Sequence, residues 1–437
     1  MPANVIGVFV WGMEVGAIAK GRSSTNYIFE YDPKWVRADV ELAPLQMPVL
    51  ARKRSFNFPY MPNSFHGLPG MLSDVLPDDF GNALIDAWMA TQGIQKDSIT
   101  ALDRLAYMGK RGMGALEFAP PLAVVKDSHV PLEMSTMVEA ARRVLGGNFD
   151  DDARAKAALD NIIQVGTSAG GARAKAVIAW NPATNEIKSG QFDVEPGFEH
   201  WLLKFDGVGA GLELGSSGDY GRIEYAYHLM ASAAGVEMMP CRLLHENGRA
   251  HFMTKRFDRD GNTKHHLTSL CAMANLDYKQ RATHAYEQLF NVILQLELGD
   301  HALSQTFRRM AFNVMARNCD DHTKNFAFRL RRGGAWEISP AFDVTHAYNP
   351  HGEWTGQHLM SVNGKFANIA VADLLAVADR FSVPDASRII DEAKAAIANW
   401  PDYAAAAGVS EARASRITGR FELVDKALFI AFPGQTP

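Results

Sequence analysis

Asp320-Asp321-His322-Thr323-Lys324-Asn325 sets an acid and an amide at a D-x-x-x-x-N spacing. Protein-kinase catalytic loops share that spacing. Phosphoryl transfer needs a carboxylate that orients, or takes the proton of, an attacking hydroxyl, with a neutral oxygen ligand for Mg²⁺ close by. In a tight loop Asp320 and Asn325 meet both needs. So short a pattern also fits a solvated polar loop after a helix, with Asp320 near its cap.

Phe342-Asp343-Val344 puts Asp343 18 residues beyond Asn325, where a kinase carries its metal-binding D-F-G aspartate. The order here is Phe-Asp. Mg²⁺ takes one or two carboxylates plus phosphate oxygens and water, and Asn325 with Asp343 suits that demand. The plainer reading of Asp343 is a helix cap after Ser339-Pro340. Lys204 lies inside the apolar run WLLKF. A lysine there is costly unless paired, and a phosphate together with a helical carboxylate, Glu224, explains it. Otherwise Lys204 snorkels from a strand edge and Glu224 is a surface residue. Upstream, the small-residue stretch Gly166–Lys175 (GTSAGGARAK) precedes a strand. Small residues with free N–H groups can wrap phosphates. The stretch is neither a Walker A loop nor G-x-G-x-x-G, and a flexible loop is the alternative. The order of loop, Lys204, Glu224, Asp320, Asn325 and Asp343 is more specific than any one part.

Elements must hold these residues in place. Residues 4–12 and 14–19 alternate around a Gly-Met turn, Asn26–Tyr31 adds a strand, and Met113–Pro121 a closing one. Helices are expected at Asn82–Thr91 and Leu132–Leu145. A major boundary falls near 135–150. Beyond it Lys175–Trp180 and Glu186–Gln191 predict a hairpin opened by Asn181-Pro182, and His200–Asp206 a strand. Tyr220–Ala234 has helical periodicity and stops at Gly235. Ala250–Arg256 reads as a strand. The rest is mostly helical, at 283–298, 301–318, 370–381 and 385–399, with a small hairpin at 326–339 turning on Gly333-Gly334. A β-rich piece with one helix, then a helical piece with a small hairpin, is the layout of a two-lobed kinase.

Composition sets outer bounds. The 437 residues are 47% hydrophobic and 21% charged, which is globular usage and excludes a largely disordered chain. With 44 Lys and Arg against 49 Asp and Glu the net charge is −5, so the whole chain is no basic nucleic-acid clamp. The three cysteines, Cys241, Cys271 and Cys319, are too few and scattered for a disulfide framework or zinc site. No apolar run reaches the ~18 residues of a membrane span. The N-terminus lacks a basic start and meets Glu14 too early for a signal peptide. A cytoplasmic protein is expected. The histidines show no metal-ligand spacing, and His322 reads as an orienting residue of its loop.

SAGGARAK, HWLLKFD, TKRFDR, NCDDHTKNFAF and SPAFDV, with WGMEVGAIA, YDPKW and SDVLPDDFGNAL nearer the start, resemble the HipA family of serine/threonine kinases, the toxins of bacterial toxin–antitoxin pairs. The resemblance covers nearly the whole chain. It implies an α+β, two-lobed kinase-like fold with a small β-rich N-terminal subdomain, divided 1–135, 150–258 and 259–437. It implies ATP and Mg²⁺ as cofactors. The ATP loop falls on Gly170, Gly171, Ala172, Arg173, Ala174 and Lys175, and the phosphate-binding lysine is Lys204. Lys255-Arg256-Phe257 contacts adenine, although Arg256–Arg259 also reads as a strand end with a local ion pair. Asp320 is the catalytic aspartate, with His322, Lys324 and Phe342 beside the nucleotide, and Asn325 and Asp343 are the Mg²⁺ ligands. Ser168 matches a serine that is autophosphorylated in the family. Arg173-Ala174 and Lys255 depart from the pattern of some members. The resemblance also implies a small DNA-binding antitoxin (HipB-like), DNA contact mainly through it, and a translation-related substrate such as glutamyl-tRNA synthetase. A small-molecule kinase and a nucleotide-binding co-repressor without catalysis are the alternatives.

Overall fold

The first hydrophobic alternation folds as a hairpin. Strand β1 (Val5–Val10) pairs antiparallel with β2 (Met13–Lys20), from Val5↔Ala19 to Val10↔Met13. Its turn falls on Trp11-Gly12, where φ is 51° and 81°, one residue before the expected Gly-Met turn. A two-residue turn of this hand needs positive φ at both positions. In this computed structural model residues 4–21, 26–49, 54–77, 79–122, 132–146, 174–207 and 219–424 are described. They fall into two compact units: Met1–Ala210 with Lys255–Asp277 and Ala327–Trp336, and Gly211–Thr254 with Tyr278–Phe326 and Glu337–Pro437.

In the first unit β3 (Tyr27–Tyr31), β4 (Ser55–Asn57) and β5 (Leu116–Ala119) complete a five-stranded sheet of order β4-β3-β2-β1-β5. Ile6, Val8 and Val10 bury alternate positions of β1 against Trp35, Leu72 and Leu105 in one apolar core. The helix Asp79–Thr91 begins three residues before the expected start, with Asp79 in its first turn, where a carboxylate meets the positive helix end. β6 (Lys175–Trp180), β7 (Ile187–Ser189) and β8 (Glu199–Lys204) follow, with β6 between the other two. Asn181 makes the β6–β7 turn by accepting the Ala183 N–H on its side chain at 2.9 Å. His266–Ser269 pairs antiparallel with Ala327–Leu330, which then turns over Arg331–Gly334 with Gly333 at φ 71°.

The second unit is mostly helical. Tyr220–Ala233 forms a helix, and Gly235 at φ 77° ends it as its sequence signals. A Cβ on Gly221 would meet the Ala250 carbonyl oxygen at 2.1 Å, so this helix approaches the strand Arg249–Lys255 as only glycine allows. Tyr286–Gln295, Gly299–Met315, Val371–Arg380 and Ala386–Ala398 realise the four expected C-terminal helices, the second starting two residues early and ending early, the others within narrower bounds. The second stops before Arg317, whose φ of 55° is left-handed. Trp400–Ala406 and Glu411–Thr418 add two more. Trp400 is fully buried and meets Tyr227 and Phe421 edge-on, with ring centroids 5.3 and 5.8 Å away. No described helix is long and apolar enough to cross a membrane.

Candidate active site

The first unit holds the expected phosphate and adenine residues. Ala174 leads into β6, and its carbonyl accepts the Phe205 N–H at 3.1 Å. Lys175 and Lys204 are direct cross-strand partners on β6 and β8, and both are buried. Like charges directly opposite each other are destabilising. Ser168, Gly170, Gly171, Ala172 and Arg173 lie outside the described residues.

Lys255 ends its strand in an ion pair with Glu199 at 2.6 Å. Arg256 is buried and forks onto Asp258, from Nε at 2.9 Å and from Nη2 at 2.7 Å. Arg259 Nη1 and the Gly114 N–H each add a bond to Asp258 Oδ2 at 2.7 Å. Burial pushes the Asp258 carboxyl up, but the two guanidinium groups and these hydrogen bonds overcome it and hold the group well below the usual carboxylate range. The Phe257 carbonyl accepts from Arg329 at 2.7 Å. The Arg256 side chain thus serves the local ion pair, and its N–H donates to the His200 carbonyl at 2.9 Å.

The second unit gathers the acidic residues. Asp320, Asn325, Phe342 and Asp343 line one pocket together with Arg309, Phe312, Asn313 and Asn318. Asp320 follows the helix Gly299–Met315 in a loop that closes on a short turn, Thr323–Asn325. Its side chain is 47% exposed, so the carboxylate can reach a substrate. Asn325 Nδ2 donates to the Asp320 carbonyl at 2.7 Å. That bond ties both ends of the D-x-x-x-x-N interval and leaves Asn325 Oδ1 as the amide atom for a cation. His322 Nε2 is 3.8 Å from Asp320 Oδ1, and its ring packs beside Tyr278 at 5.4 Å. The Lys324 ammonium lies over the same Tyr278 ring at 5.3 Å.

Asp343 has φ 54°, a conformation uncommon outside glycine that clusters at functional sites. No helix follows it until Val371, so it is not a helix cap. The preceding segment is fixed by the Ala341 N–H donating to the Glu237 carbonyl at 2.7 Å and by Arg309 Nη2 donating to the Ser339 carbonyl. Arg309 is buried, and its Nε and Nη1 have no hydrogen-bond partner. Glu224 is also buried, on the helix Tyr220–Ala233, and not the surface residue of its plainer reading.

Among the described residues no group of three or more His, Cys, Asp or Glu side chains forms a ready metal cage. Mg²⁺ is bound in phosphoryl-transfer sites by one or two carboxylates with phosphate and water completing the octahedron. Asp343 with Asn325 Oδ1 is a donor set of that kind, in a pocket that Arg309 also lines.

Sequence reasoning passed over Asp321. Its side chain is fully buried and bonded to Tyr286 and His358, both at 2.8 Å. These partners lie 35 and 37 residues away, beyond any local pattern. The only signal was a second acid beside Asp320.

A β-rich unit and a mostly helical unit make this an α+β chain. Residues 167–400 match the HipA-like C-terminal domain and residues 6–119 the HipA N-terminal domain. The chain belongs to the HipA family. HipA of Shewanella oneidensis MR-1, solved in a toxin–antitoxin complex with HipB and its operator DNA, superposes with a TM-score of 0.65 at 16% identity over 98% of this chain and 96% of that one. The Helicobacter pylori proinflammatory kinase CtkA aligns with a TM-score of 0.35 at 12% identity over 58% of this chain and 95% of that one, a likeness too slight to argue from. No curated protein matches the sequence.

Proposed function

We propose that this protein is an ATP- and Mg²⁺-dependent serine/threonine protein kinase that acts as a toxin. The observation that carries the reading is the pocket that brings Asp320, Asn325 and Asp343 together from two separate stretches of chain. Asp320 orients the attacking hydroxyl and takes its proton. Asn325 Oδ1 and the Asp343 carboxylate hold Mg²⁺, which when bound supplies charge neutralisation on the phosphate oxygens. Lys175 and Lys204, with the amides of Gly170, Gly171, Ala172 and Arg173, hold the triphosphate. The backbone of Lys255, Arg256 and Phe257 holds adenine. Fixed cations and N–H donors aimed at the transferring group are the main source of rate enhancement in such chemistry.

The Shewanella HipA was solved with HipB and operator DNA. By analogy a small HipB-like, DNA-binding antitoxin restrains this protein. With a net charge of −5 the chain lacks the positive field that drives non-specific phosphate binding, so DNA contact runs mainly through the antitoxin. The substrate is a translation-related protein such as glutamyl-tRNA synthetase, and Ser168 is a slow autophosphorylation site. A phosphoserine adds about −1.5 to −2 charges, which within a triphosphate-binding stretch opposes ATP.

The test is a phosphoproteome after brief expression of wild type and of Asp320→Asn. New phosphoserine or phosphothreonine on a small set of translation proteins in wild type alone supports the reading. Identical phosphoproteomes overturn it, and phosphorylated metabolites in their place assign a small-molecule kinase.

A further inference from the structure

Asp320 and Asp321 are adjacent and do opposite things. The first has a side chain 47% exposed and the second 0%. A fully buried carboxylate needs charge and hydrogen bonds around it, and Asp321 has both. Its Oδ2 accepts from the Tyr286 hydroxyl and from His358 Nδ1, each at 2.8 Å, and its Oδ1 accepts from the Leu359 N–H at 2.8 Å. The Tyr286 hydroxyl accepts from Asn313 Nδ2 at 3.0 Å, and Asn313 Oδ1 accepts from Asn318 Nδ2 at 3.0 Å. His358 Nε2 faces Cys319 Sγ at 3.8 Å. Burial pushes the His358 imidazole down, but Asp321 and then Cys319 raise it to about 10, so the ring is a cation beside the carboxylate.

Residues 318, 319 and 321 are thereby tied to the helix Tyr286–Gln295, the helix Gly299–Met315 and the segment at His358-Leu359. They bracket Asp320 on both sides. Asn313, Asn318 and Asp321 also line the same pocket as Asp320 and Asn325. The exposed acid is thus flanked by residues whose side chains are bound to distant segments of the chain.

We propose that Asp321, held by His358 and Tyr286, is a positioning residue that sets the aim of Asp320 and Asn325 and so governs turnover more than nucleotide affinity. This rests on the kinase reading above. Misplacing a reacting group by about 1 Å can cost ~10²-fold in rate.

The full chain is compared with Tyr286→Phe, His358→Asn and His358→Leu. Asparagine can present Nδ2 where His358 presents Nδ1, whereas leucine cannot donate. Turnover and the Michaelis constant for ATP are measured, together with amide hydrogen exchange across residues 318–325. The expected result is turnover down ~10-fold in Tyr286→Phe and ~10²-fold in His358→Leu, with His358→Asn between, ATP constants within about two-fold of wild type, and faster exchange confined to that loop. If His358→Leu fails to fold, the other two variants decide. Unchanged turnover, a loss carried wholly by the ATP constant, or exchange that rises across the whole unit overturns the proposal. A wild-type chain that transfers no phosphate overturns the kinase reading instead. The exchange arm then decides alone whether the clamp holds the loop: faster exchange there supports it, and unchanged exchange refutes it.

Discussion

Replacing Asp258 with asparagine should cost the fold about 3–5 kcal/mol, the range for breaking a buried ion pair by removing one partner. The side chains of Asp258, Arg256 and Arg259 are 0%, 1% and 4% exposed. One carboxylate pairs with two guanidinium groups and also takes the Gly114 N–H at 2.7 Å. Asparagine keeps the shape and loses the charge, so both cations remain buried without their anion. Against a typical total of about 5–15 kcal/mol the loss is large enough to read in a urea titration. The double replacement Arg256→Met with Asp258→Leu should recover part of it, because apolar groups can substitute for both partners of a buried pair. Full recovery is not expected, since Arg259 stays. The Asp258 carboxyl lies below its ordinary value in the fold. Its contribution is therefore complete above about pH 4 and is lost only as pH falls through the depressed value, so the deficit should be equal at pH 5 and pH 7. An Asp258→Asn protein within about 1 kcal/mol of wild type, with the Gly114 amide still protected from exchange, would refute the reasoning.

Asp343→Asn should weaken Mg²⁺-dependent nucleotide binding while the fold persists, read by calorimetric titration of ATP with and without Mg²⁺; equal affinities in both proteins would count against Asp343 as a ligand. Gly221→Ala should cost about 1–3 kcal/mol by overpacking, because its new Cβ would meet the Ala250 carbonyl oxygen at 2.1 Å; denaturant midpoints test it. Stability should peak near pH 6.5–7, followed by urea midpoints at pH 4.5, 6.8 and 9.5. His200, His266 and His346 are lowered to about 4, chiefly by burial, so protons favour the unfolded chain as pH falls from about 6.5 to 4. His358, raised to about 10 by Asp321 and Cys319 against burial, contributes fully below about 6.5 and loses that contribution as pH rises to 10. Ser168 should become phosphorylated slowly in Mg-ATP and ATP affinity should fall with it, checked by mass spectrometry and a binding titration; an unmodified Ser168 in an active preparation would exclude it.

Much of the framework was legible because it rests on local patterns. Alternation in Val5–Lys20 and the 3.6-residue period of Tyr220–Ala234 need no tertiary information, and Gly235 marks a helix end by conformation alone. The helix Ala101–Met108 starts at a Thr100–Asp103 capping box, a local start signal that no expected helix used. Other features were not available in principle. The units combine non-adjacent stretches such as Lys255–Asp277 and Ala327–Trp336, whereas periodicity is read along the chain. Of the candidate site, the Asp320–Asn325 interval and Asp343 were readable from spacing. Asp321 was not, because its role comes from Tyr286 and His358 reaching it from distant segments. Arg256 could be read from sequence either as a nucleotide contact or as part of a local ion pair, and its Nε and Nη2 fork onto Asp258, two residues on, realises the ion pair.

In the proposed kinase Asp320 carries phosphoryl transfer. Purified full-length protein with Mg²⁺ and ATP labelled on the γ-phosphate, incubated with a cell lysate and separated by gel, tests it most directly. Wild type should place label on seryl or threonyl residues of itself and of a small number of acceptors. Asp320→Asn should bind ATP as tightly and transfer ~10²–10⁴-fold more slowly, the contribution of a positioned general base. Equal labelling by wild type and Asp320→Asn would contradict the account.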